Sequence, residues 1–313
     1  MEYIILIIAL AGIVYGADRL VSGSVSIAKR YNVSDFVIGA AIVGIGTSMP
    51  ELTVSFIGAL QGNSDVAIGN VVGSNIFNIL GILGLTAIFF PIKVSKENIR
   101  FEIPLCIGVS VLLTLLTFNF FNGTPQSLGS FDGIILLITF ALFMWYSFYR
   151  DRKYGSSAVQ EEDTPPEVPL WLAIFRVLIG LGILILSCDI FVDNAIHIAR
   201  EWGLSEAVIS ITLIACGTSL PELAASIAAA LKKNTQLALG NIIGSNIFNI
   251  TLILGLSSQV CTLSSPDINV TDYIVMIGAA VLTLIFGLKG RIGRLAGVFM
   301  TLSFIAYSLY LIV

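Results

Sequence analysis

Ten long hydrophobic segments follow one another along the chain, and they constrain its fold more than any other feature. They lie near residues 3–26, 36–61, 65–91, 101–119, 131–149, 170–197, 206–231, 236–260, 272–288 and 294–313. An apolar segment of about 20 residues can cross a bilayer as one helix. Because lipid offers no hydrogen-bond partners, the backbone must bond within itself, as a helix does. The sequence therefore predicts an all-α polytopic membrane protein with ten transmembrane helices.

Composition supports this class and argues against several others. Charged residues make up 12% of the chain, whereas soluble proteins carry about 25%. No basic face suggests a nucleic-acid partner. The four cysteines form no CxxC or CxxH spacing, so we expect no thiolate metal centre, redox centre or cofactor. The first segment lacks a basic leader and a cleavage site, which favours a first span over a removed signal peptide.

The chain also contains an internal duplication. A shift of 171 residues places Glu51 on Glu222 and aligns residues 34–85 with 205–256 without a gap, with about half of the positions identical. The repeated motif covers residues 36–85 in the first half and 207–256 in the second. Two copies of such a long motif predict two halves with the same fold.

The duplication predicts how the two halves are oriented. Residues 1–149 carry five segments, residues 170–313 carry five more, and the polar stretch 150–169 reads as a flexible linker between them. Because five is odd, the second half must enter the membrane from the opposite side. We therefore expect inverted-topology repeats, an architecture that places a substrate site near the bilayer midplane.

Basic residues indicate which side is cytoplasmic. Only Arg200 falls in a loop on one side, and the other basic loop residues all fall on the opposite side: Lys29, Arg30, Lys93, Lys96, Arg100, Arg150, Arg152, Lys153, Lys232, Lys233, Lys289, Arg291 and Arg294. The positive-inside rule makes the crowded side cytoplasmic. Both termini are then predicted to be extracytoplasmic, and the 150–169 linker cytoplasmic.

Polar residues interrupt the second segment of each half. The first half reads GTSMPEL, with Thr47, Ser48 and Glu51 at i, i+1 and i+4, which would share one side of a helix. Pro50 cannot continue the helical hydrogen bonding, so carbonyls at 43–47 are expected to lack helical partners. The second half repeats the arrangement as GTSLPEL, with Thr218, Ser219 and Glu222.

The third segment of each half adds further oxygen-bearing side chains. Ser74 and Asn78 stand at i and i+4, and Ser245 and Asn249 repeat them. GxxxG spacings, at 69–73 and 240–244, predict close helix packing. Carbonyl, hydroxyl and carboxylate oxygens suit hard cations such as Ca²⁺ and Na⁺, and no histidine or thiol cluster favours Zn²⁺ or Cu⁺. The sequence therefore predicts one cation site built by four spans.

Other interpretations explain the same residues less well. A lone proline or serine in a membrane helix is usually a tolerated kink, and one buried glutamate could pair with another helix. Two identical clusters at equivalent positions disfavour both of these explanations. A cation channel would normally be assembled from subunits around an axis. An intramembrane enzyme would need the paired acidic motif of an aspartyl protease or a metal-binding histidine cluster, and the chain offers neither.

The two GTS-x-PEL motifs, each followed by GNVVGSNIFN or GNIIGSNIFN, resemble the alpha-repeats of the sodium/calcium exchanger family. The resemblance covers nearly the whole chain and implies a prokaryotic plasma-membrane antiporter that exchanges Na⁺ for Ca²⁺ by alternating access. It implies that Glu51 and Glu222 are the shared carboxylates. It further implies ligands from Thr47, Ser48, Thr218, Ser219, Ser74, Ser245, Asn78 and Asn249, and from the carbonyls of Gly44 and Ala215.

Variation among family members leaves the coupled ion open. Potassium-dependent members carry Asp where this chain has Asn78 or Asn249, and proton-coupled relatives carry a Glu in the GN motif where this chain has Val or Ile. Both differences favour sodium coupling without potassium, although H⁺/Ca²⁺ exchange and K⁺-dependent Na⁺/Ca²⁺ exchange remain alternatives. Asp18 and Asp189, at equivalent positions in the first span of each half, are expected to form structural hydrogen bonds, with a role in the ion pathway as the alternative. The oligomeric state stays open.

Overall fold

The computed structural model describes residues 2–62, 64–118, 127–154, 168–202, 217–264 and 268–312, and this part of the chain is predominantly helical. The helices of the first half are α1 (Glu2–Tyr31), α2 (Asp35–Thr47), α3 (Met49–Leu60), α4 (Ser64–Ile76 continued by Phe77–Leu83 and Gly84–Phe89), α5 (Asn98–Phe118) and α6 (Ser130–Tyr154). Those of the second half are α7 (Leu170–Glu201), α8 (Leu220–Leu231), α9 (Thr235–Val260), α10 (Val270–Gly287) and α11 (Arg294–Ile312).

Most of the predicted spans appear as helices. Within the described residues, eight helices are long and apolar enough to cross a membrane, and there are nine if α2 and α3, which meet at a 49° bend, count as one span. The remaining predicted segment, 206–231, is described only from residue 217, and α8 is its second part. The described chain is therefore a bundle of long apolar helices, as the hydrophobic segments predict.

The bend between α2 and α3 lies at the polar motif. Pro50 stands in the first turn of α3, where its missing N–H costs nothing because the first N–H groups of a helix have no partner within it. Ser48 lies between the two helices, and its N–H still donates to the Gly44 carbonyl at 3.1 Å. Thr47 thus ends one helix and Glu51 lies in the first turn of the next, so Thr47, Ser48 and Glu51 stand around a bend at the interruption that Pro50 predicts.

Helix α9 lies at the centre of the bundle and is almost wholly buried. It packs directly against α2. A Cβ added to Gly240 would collide with the carbonyl of Phe36, and one added to Gly244 would collide with the backbone of Ala40. The close packing that the GxxxG spacing predicts is therefore present in the second half. The equivalents of Phe36 and Ala40, residues 207 and 211, fall outside the described residues.

Two short strand pairs connect the halves at opposite ends of α9. The loop after α4 forms β1 (Ile92–Lys93), which pairs antiparallel with β4 (Arg291–Ile292) after α10. The loop before α6 forms β2 (Ser127–Leu128), which pairs antiparallel with β3 (Leu263–Ser264) after α9. Each pair thus joins a loop of the first half to a loop of the second.

Helices α1 and α7 pack along each other at one side of the bundle. Their contact is close because Gly16 and Gly180 face each other, and a Cβ on either would meet the other helix's backbone. Large apolar side chains on the far sides of both helices are exposed, among them Ile7, Leu178 and Leu186. An exposed apolar surface of this kind suits contact with lipid.

Helix α6 extends past the predicted segment end at 149 to Tyr154, so the predicted linker 150–169 begins with helical residues. The charged residues there have partners inside the protein. Arg150 pairs with the buried carboxylate of Glu102 on α5, and Asp151 accepts a hydrogen bond from the Ser34 N–H at 2.6 Å. Hydropathy alone ends the segment too early because it does not anticipate this pairing. Residues 155–167 of the linker lie outside the described part.

Candidate functional site

Two buried glutamates lie where the broken span of the first half meets α8 of the second. Glu51 is in the first turn of α3, Glu222 is in the first turn of α8, and both side chains are 0% exposed. Each carboxylate accepts a hydrogen bond from the opposite half. Ser219 donates to Glu51 Oε1 at 2.8 Å, and Ser48 donates to Glu222 Oε1 at 2.8 Å. The two polar motifs therefore contact each other and bring both glutamates into one buried cluster.

Four buried oxygens at this site have no hydrogen-bond donor among the described residues: Glu51 Oε2, Glu222 Oε2, Asn78 Oδ1 and Asn249 Oδ1. Leaving a buried polar acceptor unsatisfied is unfavourable, and an uncompensated carboxylate is more so. The described residues offer Glu51 and Glu222 no salt bridge. A bound cation can compensate these four acceptor oxygens together.

The hydroxyl groups of the motifs have mixed roles in this arrangement. Thr47 Oγ1 lies 3.0 Å from the Val43 carbonyl and 3.2 Å from Asn241 Oδ1. Ser245 donates to the Gly44 carbonyl at 3.2 Å. The expectation that carbonyls 43–47 lack helical partners is wrong for Gly44, which keeps the helical bond from the Ser48 N–H. Hydroxyl groups of Thr47 and Ser245 also bond the Val43 and Gly44 carbonyls.

The remaining predicted ligands are less completely described. Ser74 on α4 is buried, and Thr218 lies before α8 and is partly exposed. Ala215 falls outside the described residues. Within the described residues no group of three or more His, Cys, Asp and Glu side chains is assembled, so the two-carboxylate site depends on hydroxyl, amide and carbonyl oxygens for the rest of its ligands.

Asparagines Asn70 and Asn241, which the sequence interpretation missed, anchor the two glutamate helices. The Nδ2 group of Asn241 donates to the Glu222 carbonyl at 3.2 Å and to Ser226 Oγ at 2.9 Å. Asn70 makes the equivalent bonds to the Glu51 carbonyl at 3.2 Å and to Ser55 Oγ at 3.0 Å. These contacts fix α3 against α4 and α8 against α9. All of these residues are identical under the 171-residue shift, which is the signal that could have found them.

A second missed pair, Asn75 and Asn246, joins α4 to α9. Each donates its side-chain N–H to the other's backbone carbonyl at 3.1 Å. Each side-chain oxygen accepts from a predicted ligand of the opposite half: Asn75 from Asn249 at 3.1 Å, and Asn246 from Asn78 at 3.1 Å. Four buried amides thus form a closed hydrogen-bonded network beside the two glutamates.

The paired aspartates of α1 and α7 lie away from this site and have different surroundings. Asp18 Oδ1 forms an ion pair with Lys232 Nζ at 2.7 Å, which ties α1 to the end of α8. Asp189 is exposed on α7. The expected structural contact is therefore present for Asp18, as an ion pair with a lysine.

Comparison with known sequences identifies similar proteins over nearly the full chain. A family described as "Sodium/calcium exchanger protein" matches residues 1–149 and 172–313. The chain is 38% identical to CaxA of Alkalimonas amylolytica, over 97% of both sequences. It is 32% identical to the sodium/calcium exchanger MaX1 of Methanosarcina acetivorans, over 99% of this chain and 98% of that protein.

Comparison with solved structures also identifies a sodium-calcium exchanger as a similar protein. The fold is similar to that of the sodium-calcium exchanger NCX_Mj soaked with 10 mM Na⁺ and zero Ca²⁺, with a TM-score of 0.83 and 32% sequence identity. The similarity covers 97% of each chain.

Proposed function

Because the chain belongs to the sodium/calcium exchanger family, we propose that it exchanges Na⁺ for Ca²⁺ across the membrane at the site of Glu51 and Glu222. The observation that carries the proposal is a set of four buried acceptor oxygens, on Glu51, Glu222, Asn78 and Asn249, for which the described residues offer no hydrogen-bond donor. Hard cations take oxygen ligands of this kind, and Ca²⁺ takes about six to eight of them.

The proposed ligand set adds the other motif oxygens to these four. Ser48 and Ser219 are already bound to the two carboxylates, so a small side-chain rotation would bring their oxygens to the ion. Thr47, Thr218, Ser74 and Ser245 would contribute further oxygens, together with the carbonyls of Gly44 and Ala215. The Gly44 carbonyl accepts from Ser245 in this arrangement, so its use as a ligand requires that hydroxyl to reorient.

Alternating access follows from the proposed inverted repeat. We propose ten spans arranged as repeats 1–149 and 170–313, with both termini extracytoplasmic and the linker 150–169 cytoplasmic. The matched bonds of Ser48 and Ser219, and the strand pairs that join the halves at opposite ends of α9, support this arrangement. A site shared between two inverted halves can open to either side when one half moves relative to the other.

Single cysteines at equivalent positions test the inversion. Gln61 follows α3 and Lys232 follows α8, and both are exposed. We expect Gln61→Cys and Lys232→Cys, made without the four native cysteines, to react with an impermeant thiol reagent from opposite faces. Reaction from the same face would contradict the inverted arrangement.

The charge of the site favours sodium coupling without potassium. Two ionised carboxylates are neutralised by one Ca²⁺ or by two Na⁺, and Asn78 and Asn249 add no charge. A third Na⁺, which the family resemblance implies, would give the sodium-loaded form a net charge of +1. The membrane potential would then act on transport with about 2.3 kcal/mol per charge per 100 mV.

Transport by the purified chain in proteoliposomes tests the proposed function. We expect ⁴⁵Ca²⁺ uptake that depends on internal Na⁺, persists when K⁺ is replaced by choline, and responds to an imposed membrane potential. Uptake driven only by a pH gradient would support the proton-coupled alternative. A strict K⁺ requirement would support the potassium-dependent alternative. Ca²⁺ flux down its own gradient, with no coupled counter-ion, would support a channel.

A further inference from the structure

Four side-chain amides form a crossed network between α4 and α9. Asn75 and Asn78 belong to α4, Asn246 and Asn249 belong to α9, and each is at most 1% exposed. The hydrogen bonds run from Asn249 to Asn75 and from Asn78 to Asn246, so each predicted ligand is held by an asparagine of the opposite half. Asn75 and Asn246 have no place in the ligand set proposed above.

Chemistry fixes the orientation of every amide in this network. The side-chain atom that faces a backbone carbonyl must be a donor, so Asn75 presents Nδ2 to the Asn246 carbonyl, at 3.1 Å. Its Oδ1 atom is then left to face Asn249, which must answer with its own Nδ2. The same reasoning, started at the Asn75 carbonyl, orients Asn246 and then Asn78. Two backbone carbonyls thus determine four side-chain orientations.

These orientations leave the side-chain oxygens of Asn78 and Asn249 free of hydrogen bonds within the network, and both residues belong to the proposed ligand set. Asn78 Oδ1 and Asn249 Oδ1 are both buried and have no donor among the described residues. A flipped Asn249 would place its oxygen against Asn75 Oδ1 and present an N–H₂ group to the cation. That arrangement loses one hydrogen bond, brings two acceptors together and turns a donor toward a positive charge.

We propose that Asn75 and Asn246 are positioning residues, which hold Asn249 and Asn78 so that both present oxygen to the bound cation. The proposal rests on the function proposed above. The network sets the orientation before the ion arrives, so binding does not have to order these side chains. Removing such a supporting contact typically lowers metal affinity by about 10- to 100-fold.

Equilibrium binding of ⁴⁵Ca²⁺ to the purified full-length chain tests the proposal. We expect Asn75→Ala and Asn246→Ala each to lower Ca²⁺ affinity about tenfold. The matched control is Asn98→Ala. Asn98 is equally buried, but its Oδ1 accepts from the Ser95 N–H in a loop, and we expect this variant to bind Ca²⁺ like the wild type.

Double mutants separate positioning from a general structural effect. If Asn75 acts through Asn249, Asn75→Ala should change Ca²⁺ affinity less than about twofold when Asn249 is already alanine. In an Asn78→Ala background, the same substitution should still lower affinity about tenfold. The mirror pair, Asn246→Ala with Asn78→Ala, should behave alike and replaces the first pair if Asn75→Ala does not fold.

The outcomes distinguish this inference from the proposed function. If the wild-type chain binds Ca²⁺ and both Asn75→Ala and Asn246→Ala bind it equally well, the positioning role alone is overturned. Equal loss in the Asn78→Ala and Asn249→Ala backgrounds would also overturn it, because the crossed pairing predicts unequal coupling. A wild-type chain that binds neither Ca²⁺ nor Na⁺ would refute the proposed function, and the positioning role with it.

Discussion

The two halves of the molecule agree closely at the glutamate site and differ at the edge of the bundle. Ser219 reaches Glu51 and Ser48 reaches Glu222 over the same 2.8 Å. At the edge, Lys232 pairs with Asp18, whereas its equivalent in the first half is the uncharged Gln61. The proposed cation site requires ligands from both halves. A contact between the end of α8 and α1 has no such requirement, so the halves can differ there.

The backbone follows the repeat even where the side chains do not. Gly62 has a φ of 79°, and its equivalent Lys233 has a φ of 61°. This left-handed conformation is easy for glycine and unfavourable for lysine. The turn geometry therefore repeats although the residue best suited to it occurs in only one half.

The largest expected effect comes from the two carboxylates. Glu51→Gln and Glu222→Gln each remove one of two charges and replace an acceptor oxygen with an N–H₂ group. Interactions with a charged group contribute up to about 3 kcal/mol, so we expect Na⁺-driven ⁴⁵Ca²⁺ uptake to fall roughly 100-fold in each variant. Exposed Glu97→Gln is the control and should transport normally. Near-normal uptake by either site variant would show that the two halves do not contribute equally.

A smaller effect is expected from the serines that cross between the halves. Ser48→Ala and Ser219→Ala each remove one hydrogen bond to a carboxylate and one candidate ligand. Because the hydroxyl leaves the carboxylate when it binds the ion, the loss comes from the missing ligand, and we expect roughly tenfold lower Ca²⁺ affinity, or about 1.4 kcal/mol. Ser110→Ala is the matched control, because Ser110 is buried on α5 and its hydroxyl donates to the Cys106 carbonyl of the same helix. Clearly unequal losses of Ca²⁺ affinity in the two serine variants would show that the two halves do not contribute equally at the glutamate site.

The smallest effect is expected at the edge, where the halves differ. The side chains of Lys232 and Asp18 are 34% and 49% exposed, so solvent screens their ion pair. Lys232→Gln, which copies the first half, should lower the free energy of unfolding by about 0.2–1 kcal/mol. Gln61→Lys, the reverse substitution at the equivalent position, adds a cation that has no described carboxylate partner and should shift it by less.

Thermal unfolding in detergent at low and high salt measures both changes. The two shifts in melting temperature should shrink as salt increases. A salt-independent loss in Lys232→Gln would mean that the lysine acts through packing of its aliphatic chain and not through its charge.

Hydrophobicity was sufficient to predict most of the helices, and the internal repeat was sufficient to predict that the motifs of Glu51 and Glu222 meet. Hydropathy locates spans because lipid excludes unpaired backbone groups, and the repeat requires equivalent residues in both halves. The bend at Ser48 was only half predicted. The sequence indicated a broken helix at Pro50, but not that hydroxyl groups would satisfy the Val43 and Gly44 carbonyls.

The asparagines beside the site could not be assigned from sequence in the same way. Asn75 and Asn246 stand inside the repeated motif, but their role depends on which atoms of α4 face α9. That register is set by packing between distant parts of the chain, and a one-residue rotation of either helix would replace these amides with serine or isoleucine, depending on its direction. The pairing of Arg150 with Glu102, near the end of α6, likewise depends on tertiary packing.

Equilibrium binding of ⁴⁵Ca²⁺ with Na⁺ competition, on the purified chain, tests the central claim most directly. The claim is that both halves together form one cation site around Glu51 and Glu222. It predicts one Ca²⁺ bound per chain, displaced cooperatively by Na⁺, and binding lost in both Glu51→Gln and Glu222→Gln. Ca²⁺ binding that Na⁺ does not affect, or that survives in either variant, would contradict the account.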